Sequence, residues 1–278
     1  FVGLTFDAGG IYDMIETSDS KIYIVGSFST VNSSPYKSVA RLNSDGTLDT
    51  TFSNLAFSNG YCKSTLQTDD GKIYIGGYFA LVSGYTYSCL VRLNSDGTLD
   101  TTFVNIDAND IVNDMIQSLD GKIYIAGAFA SPTNRIARLN SDGSLDSSFT
   151  GVPFNPVSSI FQTSDNKIYV GGQLLSTYTG LARLNSDGTV DSTFEDVHTY
   201  VDDSNDGNIT DIGQAANGNI YIVGNIAYLN YSVSGVAFNK FDSNDNLDSN
   251  YSIIPDSNDY PRPTVYCSTK FNDKIFIG

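Results

Sequence analysis

Short apolar runs recur along the chain at a near-constant interval. Ile22-Tyr23-Ile24-Val25 is the first, and each run follows a lysine or asparagine: Lys21, Lys72, Lys122, Lys167, Asn219 and Lys274, spaced 51, 50, 45, 52 and 55 residues apart. Each run is apolar at both alternating sets of positions, and such a strand needs cover on both faces. The run closes on Gly26, Gly77, Gly127, Gly172 or Gly224, where another backbone is expected to come close. A segment with strand alternation, such as Tyr12 to Thr17, precedes each run. Between the two stand Asp70-Gly71, Asp120-Gly121 and Asn217-Gly218, which predict two-residue hairpins with both central residues at positive φ. No segment shows sustained helical periodicity.

A second signature completes the unit. Arg41-Leu42-Asn43-Ser44-Asp45-Gly46-Thr47-Leu48-Asp49-Thr50-Thr51-Phe52 recurs at 92–103, 138–149 and 183–194, with a drifted copy at 240–251 in which Asp245 replaces the turn glycine. It predicts a third strand ending at Asn43, a turn at Asp45-Gly46, and a fourth strand over 47–52. The fold expected is all-β: a β-propeller built of four-stranded antiparallel blades, in one domain over 1–278. Five repeats are complete (about 7–52, 53–103, 104–149, 150–194 and 195–251), and 252–278 supplies a partial sixth. The ragged ends suggest a piece of a longer polypeptide, with an open solenoid as the lesser alternative.

This motif, with Gly-Lys-Ile-Tyr-Ile between copies, resembles the delta-60 repeat family. The resemblance implies a β-propeller-like fold in bacterial secreted or surface proteins and in phages. It brings no reaction and no catalytic residues.

Loop lengths separate the two ends of each repeat. The turn between the first two strands and the motif itself keep their lengths. The stretch from the lysine or asparagine to the next motif basic residue is 20, 20, 16, 16 and 21 residues, and from the closing aromatic to the next run 20, 19, 18, 25 and 23. Up-down order puts the fixed turns at one rim and the variable loops at the other. Variable loops on a rigid scaffold are where binding usually resides, although drift of solvated loops gives the same pattern. The variable loops carry Tyr36, Tyr85, Tyr87, Tyr178, Tyr228, Tyr231, and also Tyr200 and Tyr260. Tyrosine gives a stiff, amphipathic contact suited to sugar rings or protein surfaces. Asp13, Asp114 and Asp211 align in the first strands of alternate repeats, with Ser64 and Ser159 between. They are expected at a channel mouth, where a cation or polar ligand could sit.

Charge narrows the partners. The formal net charge is −16, and of 31 acidic residues only Glu16 and Glu195 are glutamate. Aspartate belongs to turns and glutamate to helices, so the charge reports turn chemistry. Ten of the 15 basic residues occupy the two repeat positions, which reads as scaffold, with the motif arginine pairing with Asp49, Asp100, Asp146 or Asp191. Too few basic residues remain for nucleic acid, and no apolar run is long enough to insert in a membrane.

Catalytic and metal chemistry is sparse. His198, the one histidine, lies near Asp196, Asp202 and Asp203 but without a serine in a nucleophile context. Asn43-x-Asp45-Gly46-x-x-Asp49 resembles a calcium loop whose first ligand position is filled by Arg41, so no metal and no cofactor are expected. Cys62, Cys89 and Cys267 fit no metal spacing. They read as buried small residues, with a Cys62–Cys89 bridge left open.

The function expected is a non-catalytic structural or recognition propeller, first as a phage tail or fibre adhesion or receptor-binding module. The alternative is a bacterial secreted or cell-surface adhesion or protein-interaction module. A glycan-processing enzyme is the third reading, disfavoured because it needs a matched acid pair. The partners expected are a surface glycan or protein receptor and other virion or surface proteins, with the module extracellular, on a virion or cell surface.

Overall fold

The computed structural model describes residues 3–7, 9–58, 60–151, 156–173, 180–194, 199–200, 208–215, 217–229, 233–241, 268–271 and 274–277. All regular elements in them are strands. The chain divides into two compact units, 1–147 and 148–278, so the boundary falls at the end of the third repeat, just before its closing Phe149.

In the first unit each repeat forms one three-stranded antiparallel sheet in sequence order. Repeat 1 pairs Ile11–Glu16, Ile22–Gly26 and Val39–Leu42; repeat 2 pairs Tyr61–Gln67, Ile73–Tyr78 and Leu90–Leu93; repeat 3 pairs Val112–Gln117, Ile123–Gly127 and Ile136–Leu139. The middle strands are buried on both faces, with Tyr23, Ile24, Ile73, Tyr74, Ile75, Tyr124 and Ile125 each at most 1% exposed. Their residues, apolar at both alternating sets, therefore sit inside the core.

The fourth strand expected over 47–52 is not a strand here. It holds to the third strand by one bridge, Leu42 to Leu48, repeated as Leu93–Leu99, Leu139–Leu145 and Leu184–Val190. The physical reason lies in the aspartate. Asp49 donates its backbone N–H to the Arg41 carbonyl at 2.9 Å, then its side chain accepts from the Thr51 amide (3.0 Å) and hydroxyl (2.6 Å). That side-chain cap turns the chain at the point where a strand would continue.

The hairpins also differ from expectation. In the first turn of repeat 2, Thr68 N–H donates to Lys72 O at 2.9 Å, and only Gly71 has positive φ, at 80°. This is a three-residue loop, a type I turn closed by one left-handed residue. Ser20 and Asn166 fill that left-handed position in repeats 1 and 4. Hence no glycine is required there, and the dipeptide signal is absent from those repeats.

The long variable loops of repeats 1 and 2 are not plain loops. In repeat 2, Leu81–Val82 and Tyr85–Thr86 form a small hairpin that pairs with Phe57–Ser58. Repeat 1 does the same in miniature through the bridges of Val31 with Phe6 and Ser34. Repeat 3 is four residues shorter in this stretch. Beneath these hairpins Phe28, Val31, Phe57, Phe79 and Val82 are buried at 3% or less.

The second unit repeats the plan. Val157–Gln162, Ile168–Gly172 and Leu181–Leu184 form one sheet. Asn208–Gln214, Ile220–Leu229 and Val233–Phe241 form the next, with Thr199–Tyr200 paired to the far end of the long strand. Ser268–Phe271 and Lys274–Ile277 form a two-stranded pair. The fifth motif copy, including Asp245, lies mostly outside the described residues.

In all five fuller repeats the first strand carries a β-bulge at the same register, between Ile11/Asp13, Cys62/Ser64, Val112/Asp114, Val157/Ser159 and Ile209/Asp211. One difference stands out. Ile11 and Met14 are 40% and 47% exposed, whereas their register equivalents Val112 and Met115 are buried at 4% or less.

Candidate functional site

The repeated signature builds one polar cluster per repeat. In repeat 1, Arg41 Nε lies 2.9 Å from Asp49 Oδ2, and Lys21 Nζ approaches the same oxygen at 3.0 Å while donating to Asn43 Oδ1 at 2.8 Å. The guanidinium carbon sits 5.1 Å from the Phe52 ring centre and 5.9 Å from that of Tyr23. The expected arginine–aspartate pair recurs at Arg92–Asp100, Arg138–Asp146 and Arg183–Asp191, each at 2.8 Å. Burial opposes ionisation of Asp49. The Thr51 hydroxyl, the Lys21 ammonium, the Thr51 amide and the Arg41 charge outweigh it and hold the carboxyl far below the usual carboxylate range. Asp100 and Asp191 are lowered in the same way.

The cluster joins neighbouring repeats. Arg41 Nη1 donates to the Asp96 carbonyl in the next repeat's turn at 2.6 Å, and Arg92 Nη1 to the Asp142 carbonyl at 2.7 Å. The turn glycine presses on the same cluster: a Cβ on Gly97 would stand 2.7 Å from Tyr23 Oη and 2.8 Å from Arg41 Nη1. Spacing alone gave no hint that the motif arginine of one repeat reads the motif turn of the next. It also accounts for why Arg, Ser-Asp-Gly and the closing aromatic recur together.

The aspartates expected at a channel mouth occupy the bulge. Asp13 Oδ2 accepts the Thr65 amide of the next repeat at 2.8 Å, and Oδ1 accepts the Met14 amide at 2.7 Å. Ser159 accepts the Ile212 amide at 3.2 Å, with its hydroxyl 3.5 Å from Asp211. Asp114 and Asp211 each cap the following amide at 2.8 Å. These groups bond backbone, and the structure gives Asp13 and Ser159 a stitching role between first strands.

The tyrosines expected to meet ligand divide. Tyr36 and Tyr87 are 7% and 5% exposed and belong to the core beneath the small hairpins. This corrects the expectation for both: Tyr87 stacks 6.5 Å from Phe103, and its hydroxyl donates to Asp100 O at 3.4 Å. Tyr85 is 54% exposed on the repeat 2 hairpin. Tyr228 falls in the strand Ile220–Leu229, opposite Tyr200 and Ser234. Tyr178, Tyr231, Tyr260, His198 with its neighbouring acids, and Cys267 lie outside the described residues.

Three other tyrosines, missed from the sequence, do come together. Tyr61 and Tyr78 are the first cross-strand pair of repeat 2, at the variable end, with ring centres 6.4 Å apart and tilted 38°. Tyr12 of repeat 1 meets Tyr61 edge-on at 5.6 Å, and Lys63 Nζ lies 4.7 Å from the Tyr12 ring centre. Tyr12 and Tyr78 are 43% and 50% exposed. Burial, then the nearby Tyr12 hydroxyl and the Asp110 charge, raise the Tyr61 hydroxyl above its ordinary pKa. The signal that could have found them is failure to repeat. The positions equivalent to Tyr61 hold Gly10, Ile111, Pro156 and Asn208, and those equivalent to Tyr78 hold Ser27, Ala128, Gln173 and Asn225.

Among the described residues, no group of three or more His, Cys, Asp or Glu side chains is placed to hold a metal ion. Cys62 and Cys89 are both free and buried. They flank Gly77 on opposite sides, Cys62 as its strand partner and Cys89 as the acceptor of its N–H. Two strand spacings separate them by about 10 Å, beyond disulfide reach.

The Domain of unknown function (DUF5122) beta-propeller family matches residues 17–52, 68–103, 119–149 and 163–194, each running from the end of a first strand to the closing aromatic. The chain is a propeller-like tandem-repeat protein. No curated protein matches it. Among solved structures, this repeat protein is similar to virginiamycin B lyase from Staphylococcus aureus, with TM-score 0.61 at 12% identity, covering 96% of this chain and 77% of the lyase. It is similar to the WD40 beta propeller domain of Doa1, with TM-score 0.55 at 16% identity, covering 100% and 94%. A third is the extracellular domain of a putative one component system from B. thetaiotaomicron, with TM-score 0.57 at 14% identity, covering 99% of this chain and 32% of that one. At such identities the likeness of this repeat protein is one of fold.

Proposed function

We propose that the chain is a non-catalytic recognition module of the delta-60 kind, with five full blade-like repeats and part of a sixth, that binds through its variable end. One observation carries this reading. The charged side chains that recur in the first four repeats are engaged in ion pairs, whereas Tyr61 and Tyr78 at the variable end of repeat 2 have no tyrosine at the equivalent positions of the other four fuller repeats. A residue needed in each repeat serves the scaffold; an aromatic left in solvent at one place serves contact with something else. Display on a phage particle, as part of a tail or fibre, is the setting we favour. A bacterial secreted or cell-surface protein is the alternative, and both rest on the family resemblance.

The lyase among the structural neighbours raises an enzymatic reading. The recurring carboxylates do not favour it: Asp49, Asp100, Asp146 and Asp191 sit in ion pairs, and Asp13, Asp114 and Asp211 bond backbone amides. An acid pair for glycoside chemistry needs one carboxyl free to carry a proton. The test is binding of the purified chain to arrayed surface glycans and to whole bacterial cells, with product analysis of any glycan bound. Saturable binding with the glycan recovered intact supports recognition; cleavage of the glycan overturns the non-catalytic reading.

A further inference from the structure

We propose that Tyr12, Tyr61 and Tyr78, with Lys63 beside them, form a binding site for a neutral glycan chain. This rests on the recognition reading above and specifies its site and ligand class.

Placement and exposure come first. The three rings stand where the first strands of repeats 1 and 2 meet the variable end, within one compact unit. The middle-strand tyrosines Tyr23, Tyr74 and Tyr124 are 1% exposed, while Tyr12 and Tyr78 keep about half of their surface in water. Exposed rings gathered into a contiguous group form the kind of patch that marks a contact surface.

Chemistry then selects the ligand. A pyranose presents an apolar C–H face rimmed by hydroxyls, and tyrosine offers a flat apolar ring ending in a hydroxyl. Tyr61 and Tyr78 lie 6.4 Å apart at a tilt of 38° and Tyr12 meets Tyr61 edge-on at 5.6 Å, spacings comparable to the length of one hexopyranose unit, so the exposed rings of Tyr12 and Tyr78 offer two differently inclined contacts to neighbouring sugars of a chain. Lys63 supplies donors beside the Tyr12 ring, and sugar hydroxyls accept them. The net charge of −16 disfavours an acidic glycan, because the surrounding field repels it.

The experiment uses the full chain and three sets of probes: neutral oligosaccharides of glucose, mannose, galactose and N-acetylglucosamine; their sulfated or sialylated counterparts; and a proline-rich peptide. Binding is read by calorimetry and by saturation-transfer NMR, and folding by circular dichroism. A neutral oligosaccharide is expected to bind with saturation transfer at its C–H protons. Tyr61→Ala/Tyr78→Ala weakens binding at least about tenfold, and Leu119→Ala, at a 71% exposed residue of the fixed turn of repeat 3, leaves it within about twofold. The single change Tyr78→Ala, at a half-exposed ring, gives the same direction if the double variant does not fold.

A neutral glycan that binds equally well to the tyrosine variants overturns this site while leaving the recognition reading standing. Preference for the acidic glycans or the peptide overturns the ligand class. Binding of none of the probes overturns the ligand class too. If glycan arrays and whole cells are then also not bound, the recognition reading fails with it.

Discussion

Replacing Gly97 by alanine tests whether the motif turn is a joint between repeats or merely a turn. Gly97 has φ of +89°, and an added Cβ would lie 2.7 Å from Tyr23 Oη, 2.8 Å from Arg41 Nη1 and 3.0 Å from Phe52 Cδ2. The left-handed backbone alone costs an L-residue about 1–2 kcal/mol. Forcing a methyl group into packed neighbours adds roughly 1–3 kcal/mol, because Tyr23 and Arg41 are themselves buried and cannot swing away. The sum is about 2–5 kcal/mol. Gly121 is the matched control: its φ is +79°, but the nearest atom to an added Cβ is Gln117 Nε2 at 4.0 Å, so only the backbone cost of about 1–2 kcal/mol applies. Urea denaturation of Gly97→Ala, Gly121→Ala and wild type, with amide exchange to locate the loss, separates the two. Equal destabilisation by both substitutions would refute the reasoning, since it would mean that the Gly97 turn bears on nothing but its own hairpin.

Other consequences follow from the same contacts. The lowered pKa of Asp49, Asp100 and Asp191 makes their ion pairs contribute fully above the unfolded value near 3.8 and lose that contribution as pH falls below it toward the folded values. Acid titration of stability should therefore fall below about pH 4, and Asp100→Asn should flatten that fall while costing roughly 3 kcal/mol at neutral pH. Tyr87→Ala should cost about 3–5 kcal/mol, as for a large core aromatic, whereas Tyr85→Ala should change stability by less than about 0.5 kcal/mol; thermal melting of the pair distinguishes core from rim. In a Cys267→Ser background, Cys62 and Cys89 should resist a thiol reagent until denaturant is added, since both are buried and burial raises both thiol pKa values; rapid labelling of the native chain would contradict their placement.

Much of the strand order was legible because it rests on local chemistry. Apolar residues at both alternating sets required a doubly covered strand, and Ile73 to Gly77 occupy one. The Arg41–Asp49 pair was readable as two opposite charges repeating at fixed distance. What the residues could not reveal were relations across repeats. Arg41 meets Asp96 over 55 residues, a contact no single repeat contains. The fourth strand was misread because Thr47 to Phe52 has good strand composition, yet Asp49 offers the backbone a competing side-chain bond. Tyr36 and Tyr87 were misread for a related reason. Their loops fold back as small hairpins with a core of their own, and loop position alone suggested exposure. Tyr12, Tyr61 and Tyr78 sit in strands, where a search of the loops does not look.

The most direct test of the joint between repeats is amide hydrogen exchange of Arg92→Ala, read in the neighbouring repeat. If the motif arginine holds the next turn, exchange should accelerate at Asn140 and Gly143, whose N–H groups bond Ser144 O and Asn140 O at 2.8 Å, although both lie about fifty residues along the chain. Acceleration confined to repeat 2, with the Asn140 to Ser144 turn unchanged, would contradict the account.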